Sequence, residues 1–362
     1  MIYLDNAATT PLCDVAKQTI LKHIDDFGNP SSTYEFGHKS RLLIEDARER
    51  IAKCINAQPN EIYFTSGGSE ANTWALSSYT SIASNIEHHS IRANYDNMNT
   101  NTNGAVNTQS FSFINHRLSK LFGLASCMYV NNEIGTIQPV KEIAAIAHGK
   151  RMLFHTDAVQ AIPYIPIDVK DIDCDMLSAS GHKFGGIKGC GFLYIKDGVK
   201  VSSLIHGGKQ EQGIRGGTEN VLGIISMAAA LEDTIKHMEE RNAHVKKLRD
   251  KMLDQLLQIK GAHLNGSPEN RVVSNINIRF DGVSGARLVT LCDLYGVCIS
   301  AGSACNEGEA IPSHVLKAIG LSDEEALSSI RITIGHQNTE DEIDKAANII
   351  IKLIERMRTD EK

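Results

Sequence analysis

Between residues 45 and 200, short runs of β-branched and aromatic residues alternate with stretches whose apolar positions recur at helical spacing. The runs are Ile62–Thr65, Ser81–Glu87, Ala125–Val130, Met152–His155, Met176–Ala179 and Gly191–Ile195. Strands alternating with helices predict an α/β domain around a mainly parallel central sheet, with ligands just past the strand ends. Farther on, Val245, Leu248, Met252, Leu256 and Ile259 form an apolar stripe. The stripe predicts one long amphipathic helix over 221–259, which Gly261 ends. A strand (Val272–Phe280), a helix (Gly285–Tyr295), a loop at Cys305 and a strand (Ser329–Ile334) follow. The last helix starts at Thr339, with Glu342 completing a capping box. This second block reads as a smaller α+β domain. No internal repeat interrupts the pattern, and the Asn/Thr-rich stretch 94–108 reads as a surface loop.

Composition narrows the classes. The chain has 362 residues, 42% hydrophobic and 22% charged, enough for two domains with large cores. A net charge of −6 argues against binding nucleic acid by phosphate neutralisation. No window approaches the ~18 apolar residues of a membrane span, so no membrane association is expected. Met1-Ile2-Tyr3-Leu4-Asp5-Asn6 lacks the basic start and apolar run of a signal peptide. Eight cysteines without a Cys-x-x-Cys pair, most inside apolar stretches, fit a reduced cytoplasm. Cys305 is different. Gly302-Ser303-Ala304-Cys305-Asn306-Glu307-Gly308 reads as an exposed, flexible loop, so Cys305 is a candidate nucleophile.

Several segments past strand ends carry candidate chemistry. Thr65-Ser66-Gly67-Gly68-Ser69-Glu70-Ala71-Asn72 opens a helix whose free N–H groups suit a phosphate, although such a turn also occurs without a ligand. Asp157, in Asp157-Ala158-Val159-Gln160, is either a helix cap or the partner of a protonated ring nitrogen. In Ser180-Gly181-His182-Lys183, a lysine follows a buried strand among small residues. That setting suits a Schiff-base lysine, because desolvation favours the neutral amine that attacks an aldehyde. The charged, glycine-dense stretch 207–220 fits no strand or helix, and a loop of that length is usually functional. Alternation along Ser329–Ile334 turns Arg331 away from Ile330 and Ile332, either to solvent or to clamp a carboxylate. His88 and His89 follow a strand, but no second cluster at zinc-ligand spacing joins them, so no metal is expected. Each is structural, or a ring stacked on a cofactor.

Taken together, the motifs resemble the cysteine desulfurases of the NifS/IscS type, pyridoxal 5'-phosphate (PLP) enzymes of fold type I in the class V aminotransferases. The resemblance rests on Tyr3–Thr10, Phe27–Ser32, Phe64–Asn72, Val130–Thr136, Asp157–Gln160, Ser180–Phe184, Arg215–Asn220, Gly302–Cys305 and Arg331–Gly335, all in one order. It implies a large PLP-binding domain over 15–235 and a small domain from 1–14 with 236–362, carrying the Cys305 loop. By the same resemblance, Lys183 takes the cofactor as a Schiff base, His88 stacks on its ring, Asp157 pairs with the ring N–H and Gln160 bonds the phenolic oxygen. Gly68, Ser69, Ser180 and His182 hold the phosphate, with Thr218 reaching in from the second subunit of a homodimer. Asn132 and Arg331 hold the carboxylate of L-cysteine, and Cys305 accepts sulfur as a persulfide for a protein acceptor, an iron–sulfur scaffold or a thiolation protein. A Cys305 thiol at its ordinary pKa needs a proton acceptor, for which His88 is one candidate.

The chain departs from the pattern in places. The spans from Ser69 to His88 and from His88 to Asn132 are short, Tyr34 stands where a histidine is usual, and residues 89–125 match poorly. The spacing from Cys305 to Pro312-Ser313-His314 resembles the type with a mobile cysteine loop. Alternatives are another class V aminotransferase or lyase, cysteine sulfinate desulfinase included, or a sulfur-relay subunit without catalysis.

Overall fold

The computed structural model describes residues 1–92, 96–107, 123–301, 304–306 and 309–360, without the side chains of 92, 96, 97, 304–306, 309, 310 and 360. Seven strands form the larger sheet, in the order Ile62–Thr65, Gly191–Ile195, Met176–Ser180, Leu153–Asp157, Leu124–Ser126, Ser81–Ser84, Asp96–Met98. Gly191–Ile195 runs antiparallel to both neighbours, and the other pairs are parallel. The fold class read from the sequence therefore holds. Two of the predicted strands are cut short. Ser81–Ser84 stops before Glu87, and Leu124–Ser126 stops before the Asn131–Gly135 turn. The Asn/Thr-rich stretch read as a loop contributes Asp96–Met98 at the sheet's edge.

Helices cover the sheet because its strands are apolar on both faces. Phe154 and Phe192 are fully buried, each worth roughly 1.5–3 kcal/mol of transfer free energy. The single helix expected over 221–259 is two, Val221–Lys236 and Met238–Leu257, parted at His237. The reason is two cores. Ile224, Met227, Ala228 and Leu231 pack into the apolar cluster around the large sheet. Val245, Leu248, Met252 and Leu256 pack into a separate cluster with Ile330, Ile332 and Ile350.

That second cluster lines an antiparallel sheet in the order Ser300–Ala301, Ser329–Thr333, Asn275–Phe280, Ala262–Leu264. The expected start at Val272 moves to Asn275, because the chain first turns back to bond Gly135. Thr339 and Glu342 form their capping box at the last helix, Glu340–Asp360. The first eight residues join the two regions. Leu4 enters the small cluster, while Asn6 Nδ2 and the Ala7 N–H donate to the Thr333 carbonyl and hydroxyl.

The Cys305 segment, read from the sequence as a loop, carries backbone pairing. Ala304–Asn306 pairs with Glu309–Ile311, with Cys305 opposite Ala310. The Cys305 side chain, like Gly302, Ser303, Glu307 and Gly308 of the same reading, lies outside the described residues.

Candidate active site

The strands Leu153–Asp157 and Met176–Ser180 end side by side, and the helix Gly68–Ser77 begins beside them. Around these ends lies a cavity of about 380 Å³. Gly68, Ser69, His88, Asn132, Asp157, Gln160, Ser180, His182, Lys183 and Arg331 all line it. Ten positions expected from the sequence thus share one pocket. Thr218 is exposed on its loop and stands outside this pocket of its own chain.

Lys183 follows the strand Met176–Ser180 in a single helical turn, Gly181–Lys183. Its Nζ donates to the carbonyls of Ala7 (2.5 Å) and Ala8 (2.8 Å). Burial and the Arg331 charge push its pKa from 10.5 down to about 8, against the pull of Asp157 and Asp5. A lysine so placed holds roughly a tenth of its population as free amine at pH 7, far more than one at 10.5.

Asp157 ends its strand at 5% exposure. Burial raises its pKa, and four contacts oppose the rise: Asn72 Nδ2 (2.6 Å), the Val159 N–H (2.9 Å) and the charges of His88 and Lys183. The Val159 contact makes Asp157 the cap of its own turn, the first of the two roles read for it from the sequence. Gln160 Nε2 donates to the Ala7 carbonyl (2.9 Å).

At the pocket's other wall the helix Gly68–Ser77 presents unpaired N–H groups. A Cβ on Gly68 would fall 2.8 Å from Val159 Cγ2, and Gly67 takes φ +151°, a backbone closed to most side chains. The two glycines keep this N-terminus open between Ser69 and Ser180. His182, pushed down to about 4 by burial and by the charges of Lys183 and Lys188, is neutral there and meets Thr9 Oγ1 at 3.1 Å. A helix N-terminus with two hydroxyls and an imidazole suits a bound oxyanion.

Arg331 turns into the cavity as alternation requires, since Ile330 and Ile332 belong to the small core. It donates to Asp5 Oδ1 (2.8 Å) and to the Asn132 carbonyl (3.1 Å), and its Nε is buried without a partner. Asp5 and Asn72 received no role from the sequence, although both stand in motifs singled out there. The same is true of the 207–220 loop's anchor. Arg48 pairs with Glu211 through two 2.9 Å bonds, and the Phe64 N–H also donates to Glu211. No cluster of three or more metal-ligand side chains occurs among the described residues.

A neutral-prone lysine between a carboxylate and a guanidinium, beside an oxyanion cradle, defines a class of enzyme. Residues 2–346 match the family model for aminotransferase class V. Over 99% of its length the chain is 40% identical to cysteine desulfurase IscS of Methanosarcina thermophila, of which it covers 93%. The solved structure of a NifS-like protein superposes with a TM-score of 0.90 at 33% identity, covering 98% of this chain and 99% of that one. A structure titled SspA in complex with cysteine superposes at 0.80 with 31% identity, over 94% of this chain and all (100%) of the other. The chain belongs to the aminotransferase class V family, and within it to the cysteine desulfurases.

Proposed function

We propose that the Lys183 pocket takes L-cysteine, passes its sulfur to Cys305 as a persulfide and releases L-alanine. One observation supports this above the rest. A lysine pushed down to about 8 stands in one cavity with a carboxylate and a guanidinium whose Nε lacks a partner. The donor set fits PLP. Gly68, Ser69, Ser180 and His182 would hold its phosphate, Asp157 its protonated ring nitrogen, Gln160 its phenolic oxygen and Lys183 its aldehyde, with His88 against the ring. Bound there, PLP supplies an electron sink for the bonds broken at the substrate.

The chain's own groups do the remaining work. Arg331 and Asn132 hold the substrate carboxylate, and Lys183 as free amine moves the proton at Cα. The Cys305 thiolate attacks the substrate sulfur; an S–S bond forms as the C–S bond breaks. The carbon fragment keeps the bonding pair and takes up protons to leave as alanine.

The working unit in this reading is a homodimer in the cytoplasm, with Thr218 completing the neighbour's phosphate site. Phe27 is 83% exposed and its ring lies 5.5 Å from that of the exposed Phe36. This apolar surface adjoins the Thr218 loop, through a Gln210–Ser31 hydrogen bond of 3.3 Å. An exposed apolar pair is the kind of surface that a second subunit would cover, which supports the assignment. The persulfide then goes to an acceptor protein, an iron–sulfur scaffold or a thiolation protein. Among the described residues no helix is long and apolar enough to cross a membrane.

The test is Cys305→Ala with two substrates and alanine as readout. Alanine from cysteine should vanish, because sulfur needs a thiolate to leave carbon. Alanine from cysteine sulfinate should persist, because its sulfur group departs as sulfur dioxide. Equal loss on both substrates would remove Cys305 from the reaction.

A further inference from the structure

His88 contacts more than the open pocket, and its neighbours decide which of its two nitrogens carries the proton. The Ser90 N–H points at His88 Nδ1 from 3.2 Å. An N–H can only donate, so Nδ1 is an acceptor. Ser90 Oγ lies 2.8 Å from the same Nδ1 and receives a hydrogen bond from Asn72 Nδ2 at 3.0 Å. Because Nδ1 is an acceptor and Asn72 donates to the Ser90 oxygen, the hydroxyl's own proton is the one that meets Nδ1. The other N–H of Asn72 goes to Asp157 Oδ2 at 2.6 Å. Asn72 Oδ1 is left buried with no partner, so the amide is committed to donating in both directions.

We infer that Asn72 and Ser90 are positioning residues that fix His88 as the neutral tautomer with its proton on Nε2, facing the pocket as a donor. This inference rests on the desulfurase reading above and deepens it. In this state Nε2 already holds its proton, and a second proton enters only at Nδ1, after the Ser90 N–H contact is given up and the Ser90 hydroxyl turns its proton away. His88 therefore meets sulfur over the pocket by donating Nε2–H, which favours a thiolate there. It does not take the Cys305 proton, the role considered for it from the sequence. One amide also holds Asp157 and His88 in a single arrangement, so the ring-nitrogen partner and the ring-stacking histidine are set together. Burial, Lys183 and His89 all disfavour a charged His88; Asp157 alone of the facing groups favours it.

The tautomer can be read directly. The cofactor-loaded protein, labelled with ¹⁵N-histidine and assigned by His88→Gln, is titrated while its ring nitrogens are followed by NMR. Wild-type His88 should show an unprotonated Nδ1 and a protonated Nε2 at neutral pH. Ser90→Ala should raise the His88 midpoint by about half to one pH unit, the size of one neutral hydrogen bond. Asn72→Ala should move it in the same direction, and Ser90→Thr should restore the wild-type value. A protonated Nδ1 in neutral wild-type His88, or an unmoved midpoint in Ser90→Ala, overturns the inference. Alanine formation by the wild type, measured in parallel, bears only on the desulfurase reading, so the two fail separately.

Discussion

Lys183 near 8 has a measurable consequence in the enzyme freed of cofactor. A lysine at 10.5 holds ~0.3% free amine at pH 8, and one at about 8 holds roughly half. The pocket therefore raises the reactive species ~150-fold at that pH. Trace labelling with fluorodinitrobenzene across pH 6–11, with the Lys183 peptide counted by mass spectrometry, reads the titration directly. The midpoint should fall near 8. Two substitutions must then move it in opposite directions. Arg331→Gln removes a positive charge and frees Asp5, so Lys183 should hold its proton to higher pH. Asp157→Asn removes a negative charge, so the midpoint should fall. General loosening of the site would raise both curves together, since water would relieve the burial that depresses the amine. A wild-type midpoint at or above 10, or shifts of the same sign in both variants, would refute the reasoning.

Two further outcomes follow from the packing. Gly68→Val should abolish PLP retention, followed by cofactor absorbance after gel filtration, while urea unfolding shifts little, because the new side chain meets Val159 Cγ2 in the mouth of the cradle. Arg48→Met should leave the Glu211 carboxylate buried without its cation and cost about 3–5 kcal/mol, measured as a fall in unfolding free energy; an unchanged midpoint would mean that the loop is anchored elsewhere.

What the sequence made legible follows its physics. Strands buried on both faces print as continuous apolar runs, and residues just past their ends are easy to locate, which is why Asp157 and Lys183 stood out. Arg331 was placed correctly because alternation is strict when Ile330 and Ile332 are both buried. The break at His237 left no mark, because the apolar positions continue through it while the core they serve changes. Pairings were hidden for a different reason. Arg331 and Asp5 are 326 residues apart, and Asn72 and Asp157 are 85 apart. Local spacing carries no information about such contacts. Asn72 and Ser90, 18 residues apart, meet only because the helices Gly68–Ser77 and His89–Arg92 pack together.

In the proposed reaction Arg331 acts on Lys183 twice, and the two effects come in sequence. In the free pocket its charge lowers the proton affinity of Lys183, with Asp5 at 2.8 Å offsetting part of that field. A substrate carboxylate brought to Arg331 adds a second negative charge beside the first. The net field at Lys183 then shifts toward holding a proton, at the step where the proposed reaction has the lysine take one from Cα. The order follows from Coulomb's law and needs no movement of the protein. It can be isolated from chemistry with 3-mercaptopropionate, which has cysteine's carboxylate and thiol but no amine. At saturation it should raise the Lys183 labelling midpoint in the enzyme freed of cofactor. Propanethiol, without the carboxylate, should leave the midpoint in place, and in Arg331→Gln the acid should have lost most of its affinity. If 3-mercaptopropionate binds and the midpoint stays near 8, Arg331 holds the carboxylate without tuning the lysine, and the proton affinity of Lys183 is set by burial and its other neighbours.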